Sequence, residues 1–193
     1  MNDPIVTSVI IAGVGGQGIV TASDILSGAL HRHGYDVKKS EIHGMSQRGG
    51  SVSSDIRFGQ RVMSPMVPVG TADYLVVMDE TQVGPNQHML RPGGVLITPH
   101  DAAYILESDG GSDPHTEKLL NVALLGVLSV HLDVPESCWL DALRDVLSER
   151  LHRMNEEAFQ KTRAVEAFAL IVADASTSPR KPTHAKEHDQ GHR

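Results

Sequence analysis

Val6-Thr7-Ser8-Val9-Ile10-Ile11-Ala12-Gly13-Val14-Gly15-Gly16-Gln17-Gly18-Ile19 is the stretch on which the fold turns. An unbroken β-rich apolar run at 6–14 reads as a strand buried on both faces, the habit of parallel sheets. The glycines at 13–18 break it. From Ile19 to Arg32 the periodicity changes to a helix with Ile19, Ala22, Leu26 and Leu30 on one stripe and Gly34 beyond its end. Strand, glycine loop and helix together match G-x-G-x-x-G. A loop of this kind brings backbone N–H groups and a helix N-terminus against a phosphate.

Working outward, 36–41 reads as a short second strand and 42–50 as a loop. Ser51 to Phe58 alternates like a strand, with Phe58-Gly59-Gln60-Arg61 as its hairpin turn and 51–63 as an antiparallel edge. Tyr74 to Asp79 is another buried strand, Thr81 to Leu90 a short helix, and Pro92-Gly93-Gly94 a turn before the strand Val95–Thr98. Asp113-Pro114 signals a helix start that runs towards Leu132. Leu140, Leu143, Leu147 and Leu151 fall on one face of a further helix, and Asn155 caps the last, which reaches Asp174. Alternating strands and helices predict an α/β fold: three layers, α/β/α, around a mostly parallel, mixed sheet with a Rossmann-like first βαβ unit. One domain over 1–175 is expected, with 176–193 a disordered polar tail.

The chain has 193 residues, 40% apolar and 21% charged, enough for one full core. Formal net charge is −7; the tail carries four basic and two acidic side chains, which leaves −9 on the body. Such a surface repels phosphate backbones, so nucleic-acid binding is not expected. No apolar run approaches the ~20 residues that cross a bilayer. Residues 1–7 lack the pattern of a signal peptide, so a cytoplasmic protein is expected. A single cysteine, Cys138, admits neither an internal disulfide nor a resident Fe–S cluster, which needs about four thiolates. It reads as a buried, inert thiol beside Trp139. No metal site is expected.

The glycine loop alone leaves two readings open. In one it binds a dinucleotide, with Glu41, 23 residues after Gly18, on the ribose. In the other it is a tight turn without a ligand. Gln17 belongs to neither pattern; its amide offers a donor and an acceptor at the strand's carboxyl end. A second loop, His43-Gly44-Met45-Ser46-Gln47-Arg48-Gly49-Gly50, gathers His, Gln and Arg between glycines. Its arginine suits a carboxylate or phosphate held by two hydrogen bonds.

GVGGQG at 13–18 followed by EIHGMSQRGGSV at 41–52 resembles the gamma-type module of 2-oxoacid:ferredoxin oxidoreductases, and HGMSQRGGSV resembles the indolepyruvate type. The likeness continues through Arg57-Phe58-Gly59, Ser64-Pro65 and Pro68, Gly70 to Asp73, Leu90 to Gly94, Asn121 to Gly126 and Asn155 to Phe159, so that it covers roughly 5–170. Residues after Glu80 and from Ala102 to Pro114 depart from the pattern. The resemblance implies a subunit of an enzyme that converts a 2-oxoacid, here an arylpyruvate, and coenzyme A into acyl-CoA and carbon dioxide, with electrons passing to ferredoxin. It implies that thiamine diphosphate and [4Fe–4S] clusters sit on a large alpha subunit. This chain agrees by omission: it has no Gly-Asp-Gly followed by paired asparagines, the usual thiamine-diphosphate signature.

The residues left to it would position and polarise. Gly15, Gly16, Gln17 and Gly18 are expected to face the partner's active site with His43, Gln47, Arg48, Gly49 and Gly50. Gln17 and His43 are the candidates for a catalytic contact, though His43 reads equally as a loop brace. Arg48 is expected on an oxoacid carboxylate or coenzyme A phosphate, with a salt bridge to Asp55 or to the partner as the other reading. The alternative for the whole chain is a stand-alone NAD(P)- or nucleotide-binding Rossmann-like protein.

Overall fold

A computed structural model describes residues 5–44, 50–102 and 116–177. Five strands, β1 (Val6–Val14), β2 (Asp36–His43), β3 (Ser51–Gly59), β4 (Ala72–Val77) and β5 (Leu90–Ile97), form one sheet in the order β2-β3-β1-β4-β5. β1, β4 and β5 pair in parallel, and β3 is antiparallel to both β1 and β2. Four of the five strands therefore run the same way, as the buried apolar runs predict.

Helix α1 (Ile19–Arg32) returns from β1 to β2, and β2 runs parallel to β1 with β3 inserted between them. This arrangement corrects the reading of 51–63 as an edge hairpin. The hairpin is β2–β3, Ile42 pairs with Ser53 and His43 with Val52, and β2 itself is the edge. Phe58–Arg61 is no hairpin turn: Phe58 faces Val37 on one side and Thr7 on the other. An alternating strand fits either arrangement; the pairing on both of its flanks decides between them.

Residues on alternate positions of β1 split the core in two. Val9 and Ile11 face α1, α3 (Thr116–Val130) and α4 (Glu136–Val146), with Trp139 against Phe159 at 5.6 Å between ring centroids. Ile10 and Ala12 face the other way, towards Val67, Leu75 and Val77, and are covered by Val83 and Met89 of the helical turns at 80–89, which include α2 (Val83–Asn86). Asp55 lies on that second face, 2% exposed, and accepts the Val67 N–H at 3.0 Å; burial pushes its carboxyl up. Cys138 is half-buried, not fully buried as expected.

The leucine stripe at 140–151 spans two helices. α4 stops at Val146, Leu147 is extended, and α5 (Glu149–Thr177) begins two residues later. Leu147 and Leu151 still line one apolar cavity, which is why the stripe looks continuous in sequence. Asn155 lies inside α5 and donates to the Leu151 carbonyl at 2.8 Å, so it caps nothing; Glu149 supplies the acid of the first turn. Helices α3 and α5 touch at Gly126, where a Cβ would stand 2.0 Å from the Thr162 hydroxyl. Only glycine permits that approach. α5 continues to Thr177, two residues into the segment read as tail, and 178–193 lie outside the described residues.

Candidate functional site

Because β1, β2 and β4 run in one direction, their carboxyl ends gather the glycine loop, His43 and Asp79 at one edge of the sheet. The start of β3 brings Gly50 there as well. The two loops are stitched together: the Gly15 N–H donates to the Gly50 carbonyl at 3.0 Å, and the Gly44 N–H to the Ser51 carbonyl at 2.8 Å. Gln47, Arg48 and Gly49 lie outside the described residues.

Gln17 is a strut. Its Oε1 accepts the Val14 N–H at 2.7 Å and its Nε2 donates to Asp79 Oδ2 at 3.1 Å. Asp79 in turn accepts from Thr81. The Thr81 hydroxyl, then its N–H, and finally Gln17 hold the Asp79 carboxyl below the usual carboxylate range. Both polar ends of Gln17 are thus used within the chain, and its work is to hold the loop's shape. Gly16 and Gly18 take positive φ, 101° and 81°. A Cβ on Gly18 would meet Asn121 Nδ2 at 2.5 Å, whereas one on Gly16 would meet nothing within 4 Å. Gly18 is therefore demanded by packing, and Gly16 stands open at the tip.

Two hollows flank that tip. One, of about 580 Å³, is lined by Gly16, Gln17, Gly18, Lys118, Leu120 and Asn121. The other, of about 380 Å³, is walled by Ile19, Val20, Val52 and His43 beside the glycines. Asn121 Nδ2 reaches the Gly18 carbonyl at 3.4 Å, which ties α3 to the loop. Lys118 and Asn121 were not among the candidates read from sequence. The polar Asn121 at the head of the apolar 121–126 run was the available signal.

His43 is exposed, with its Nε2 3.5 Å from Glu41 Oε2. Glu41 also accepts from Lys39 at 3.0 Å, and that ammonium is the main cause that holds its carboxyl below the ordinary range. Among the described residues no hydroxyl or thiol is hydrogen-bonded to His43. Asp55, the other partner read for Arg48, sits in the middle of β3, about 13 Å of strand from Ser51. It is a structural carboxylate.

The geometry disfavours the dinucleotide reading. In Rossmann folds the acidic strand lies next to β1; here β3 intervenes, so β2 runs about 10 Å away. Glu41 is already engaged by Lys39 and His43. What the edge offers is backbone N–H groups at the start of a 14-residue helix, one lysine and open space. Among the described residues no group of three or more His, Cys, Asp or Glu side chains is placed to hold a metal, and Cys138 is the chain's single thiol. No helix among them is long and apolar enough to cross a membrane.

The mixed sheet with a glycine loop laced to a β2–β3 hairpin defines an α/β module. The family described as Pyruvate ferredoxin/flavodoxin oxidoreductase matches residues 8–165, and the chain belongs to it. The chain is similar to individual members of that family along most or part of their length. It is 30% identical over 185 residues to the indolepyruvate oxidoreductase subunit IorB of Methanothermobacter thermautotrophicus, across 79% of this chain and 94% of that one. Against IorB of Thermococcus kodakarensis identity is 44% over 91 residues, 47% of this chain and 45% of the relative, so that match spans under half of the relative's length. The gamma subunit of a keto/oxoacid ferredoxin oxidoreductase from Geobacter sulfurreducens shares the fold, with a TM-score of 0.68 at 20% identity over 86% of this chain and 98% of that one.

Proposed function

We propose that this chain is the small subunit of an arylpyruvate:ferredoxin oxidoreductase, working only in contact with a large alpha subunit that carries thiamine diphosphate and [4Fe–4S] clusters. The complex would take a 2-oxoacid, coenzyme A and two oxidised ferredoxins to acyl-CoA, carbon dioxide, a proton and two reduced ferredoxins. The observation that carries this reading is the site's composition: two glycine-bearing loops tied together at one edge, open at Gly16, with hollows on either side and, among the described residues, no donor set for electron-carrying groups. Cofactors supply the redox chemistry in such enzymes, and protein groups supply orientation and electrostatics.

In this reading Gln17 holds the loop, and the Gly15–Gly18 N–H groups and Arg48 face the partner's active site. Coenzyme A phosphates and an oxoacid carboxylate are both anions of the kind that a helix N-terminus and an arginine accept. The test is purification of the full-length chain with and without its natural partner. Alone it should be colourless, iron-free and inactive towards arylpyruvates. With the partner, iron and thiamine diphosphate should co-purify on the larger chain. Stoichiometric iron on the isolated chain overturns the division of labour.

A further inference from the structure

Residues 167–173 of α5 are all apolar, and the large side chains among them are exposed. Asn155, Ala158, Phe159 and Thr162 bury one face of this helix. Arg163 Nη1 meets the Ser129 hydroxyl of α3 at 2.6 Å, and Glu166 lies 3.4 Å from His131 just beyond that helix. α3 stops at Val130, while α5 goes on to Thr177. Along that extension Phe168 and Ile171 are each 68% exposed and Val172 51%, with Val165 at 43% just before it and Leu170 at 39%. Residues 167–173, Ala-Phe-Ala-Leu-Ile-Val-Ala, contain no polar or charged side chain. Val165, Phe168 and Val172 recur at i, i+3 and i+7, so they form one stripe with Ile171 beside it. The family match ends at residue 165, where this surface begins.

We infer that this stripe is a dimer interface between two copies of the chain. Val165, Phe168, Ile171 and Val172 present on the order of 400 Å² of apolar surface, at roughly 150–200 Å² per full side chain, while Leu170 lies on the opposite side of the helix. A small specific interface buries about 600 Å² per partner, some 65% of it apolar at the core, or on the order of 400 Å². One stripe against its symmetry mate reaches that threshold. A second copy also matches in chemistry, because a surface without charges or hydrogen-bonding side chains is self-complementary across a twofold axis. The chain's own terminal segment lacks that chemistry: residues 178–193 include six charged side chains and three histidines, and no Leu, Ile, Val, Met, Phe, Tyr or Trp.

Sedimentation equilibrium of the full-length chain, without any partner, tests this directly. The expected mass is twice 20.8 kDa. Phe168→Glu with Ile171→Glu should give the monomer mass with unchanged circular dichroism. Phe168→Ala with Ile171→Ala, which keeps a good helix former at each position, should weaken dimerisation at least tenfold if the charged pair unfolds the helix end. A wild type that stays monomeric up to ~100 μM, or a double variant with undiminished dimerisation, overturns the inference. So does a monomeric wild type whose stripe variants lose only the large subunit, since the occupant would then be that subunit. The measurement uses the chain alone and is independent of the proposed catalytic role.

Discussion

Gly16→Leu should abolish turnover in the reconstituted complex, while Gly16→Ala should keep most of it. Gly16 sits at φ 101°, so any side chain there strains the backbone, by about 1–2 kcal/mol. Both variants carry that same strain, and comparing them removes it. The alanine Cβ would meet nothing within 4 Å, so the fold accommodates it. Leucine adds three further carbons, which project from the loop tip into the space where the partner's active site is proposed to close. Turnover should fall by more than two orders of magnitude, about 2.7 kcal/mol, with arylpyruvate-dependent viologen reduction as the readout. If Gly16→Leu folds, assembles and turns over like Gly16→Ala, the loop does not face the reacting groups.

Arg48→Ala should lower kcat/KM for the oxoacid or for coenzyme A by roughly tenfold to over a hundredfold, the loss of about 1.5–3 kcal/mol from one charged hydrogen-bonding partner. Arg48 lies outside the described residues, but the bases of its loop do not: Gly44 is tied to Ser51, and Gly50 to Gly15. Arg48→Lys should recover only part of the loss, because an ammonium cannot copy the two parallel bonds of a guanidinium. Unchanged kinetics for both substrates in an intact complex remove Arg48 from the site.

The features legible in sequence were local. β1, α1 and β4 follow from unbroken apolar runs and a helical stripe, because burial on both faces or on one face writes a distinct period. The position of β3 was not legible, because its alternation is indifferent to which neighbour lies on which side. The break at Leu147 was hidden because both helices turn leucines to the same cavity. In the site, the glycines announced themselves, yet the partners that define them lie far along the chain. Gln17 meets Asp79 62 residues later, and Gly18 meets Asn121 after 103. In sequence Gln17 offers a donor and an acceptor at the strand end; the fold engages both, with Val14 and Asp79.

The most direct measurement of the central claim is anaerobic viologen reduction with an arylpyruvate and coenzyme A, using this chain alone, its large partner alone, and the two mixed. The account predicts negligible rates from this chain alone, little from the partner, and full coenzyme A-dependent reduction on mixing, which a chain truncated after Thr177 should also support. A large subunit whose turnover is unaffected by adding this chain, in a preparation where the two demonstrably bind, would contradict it.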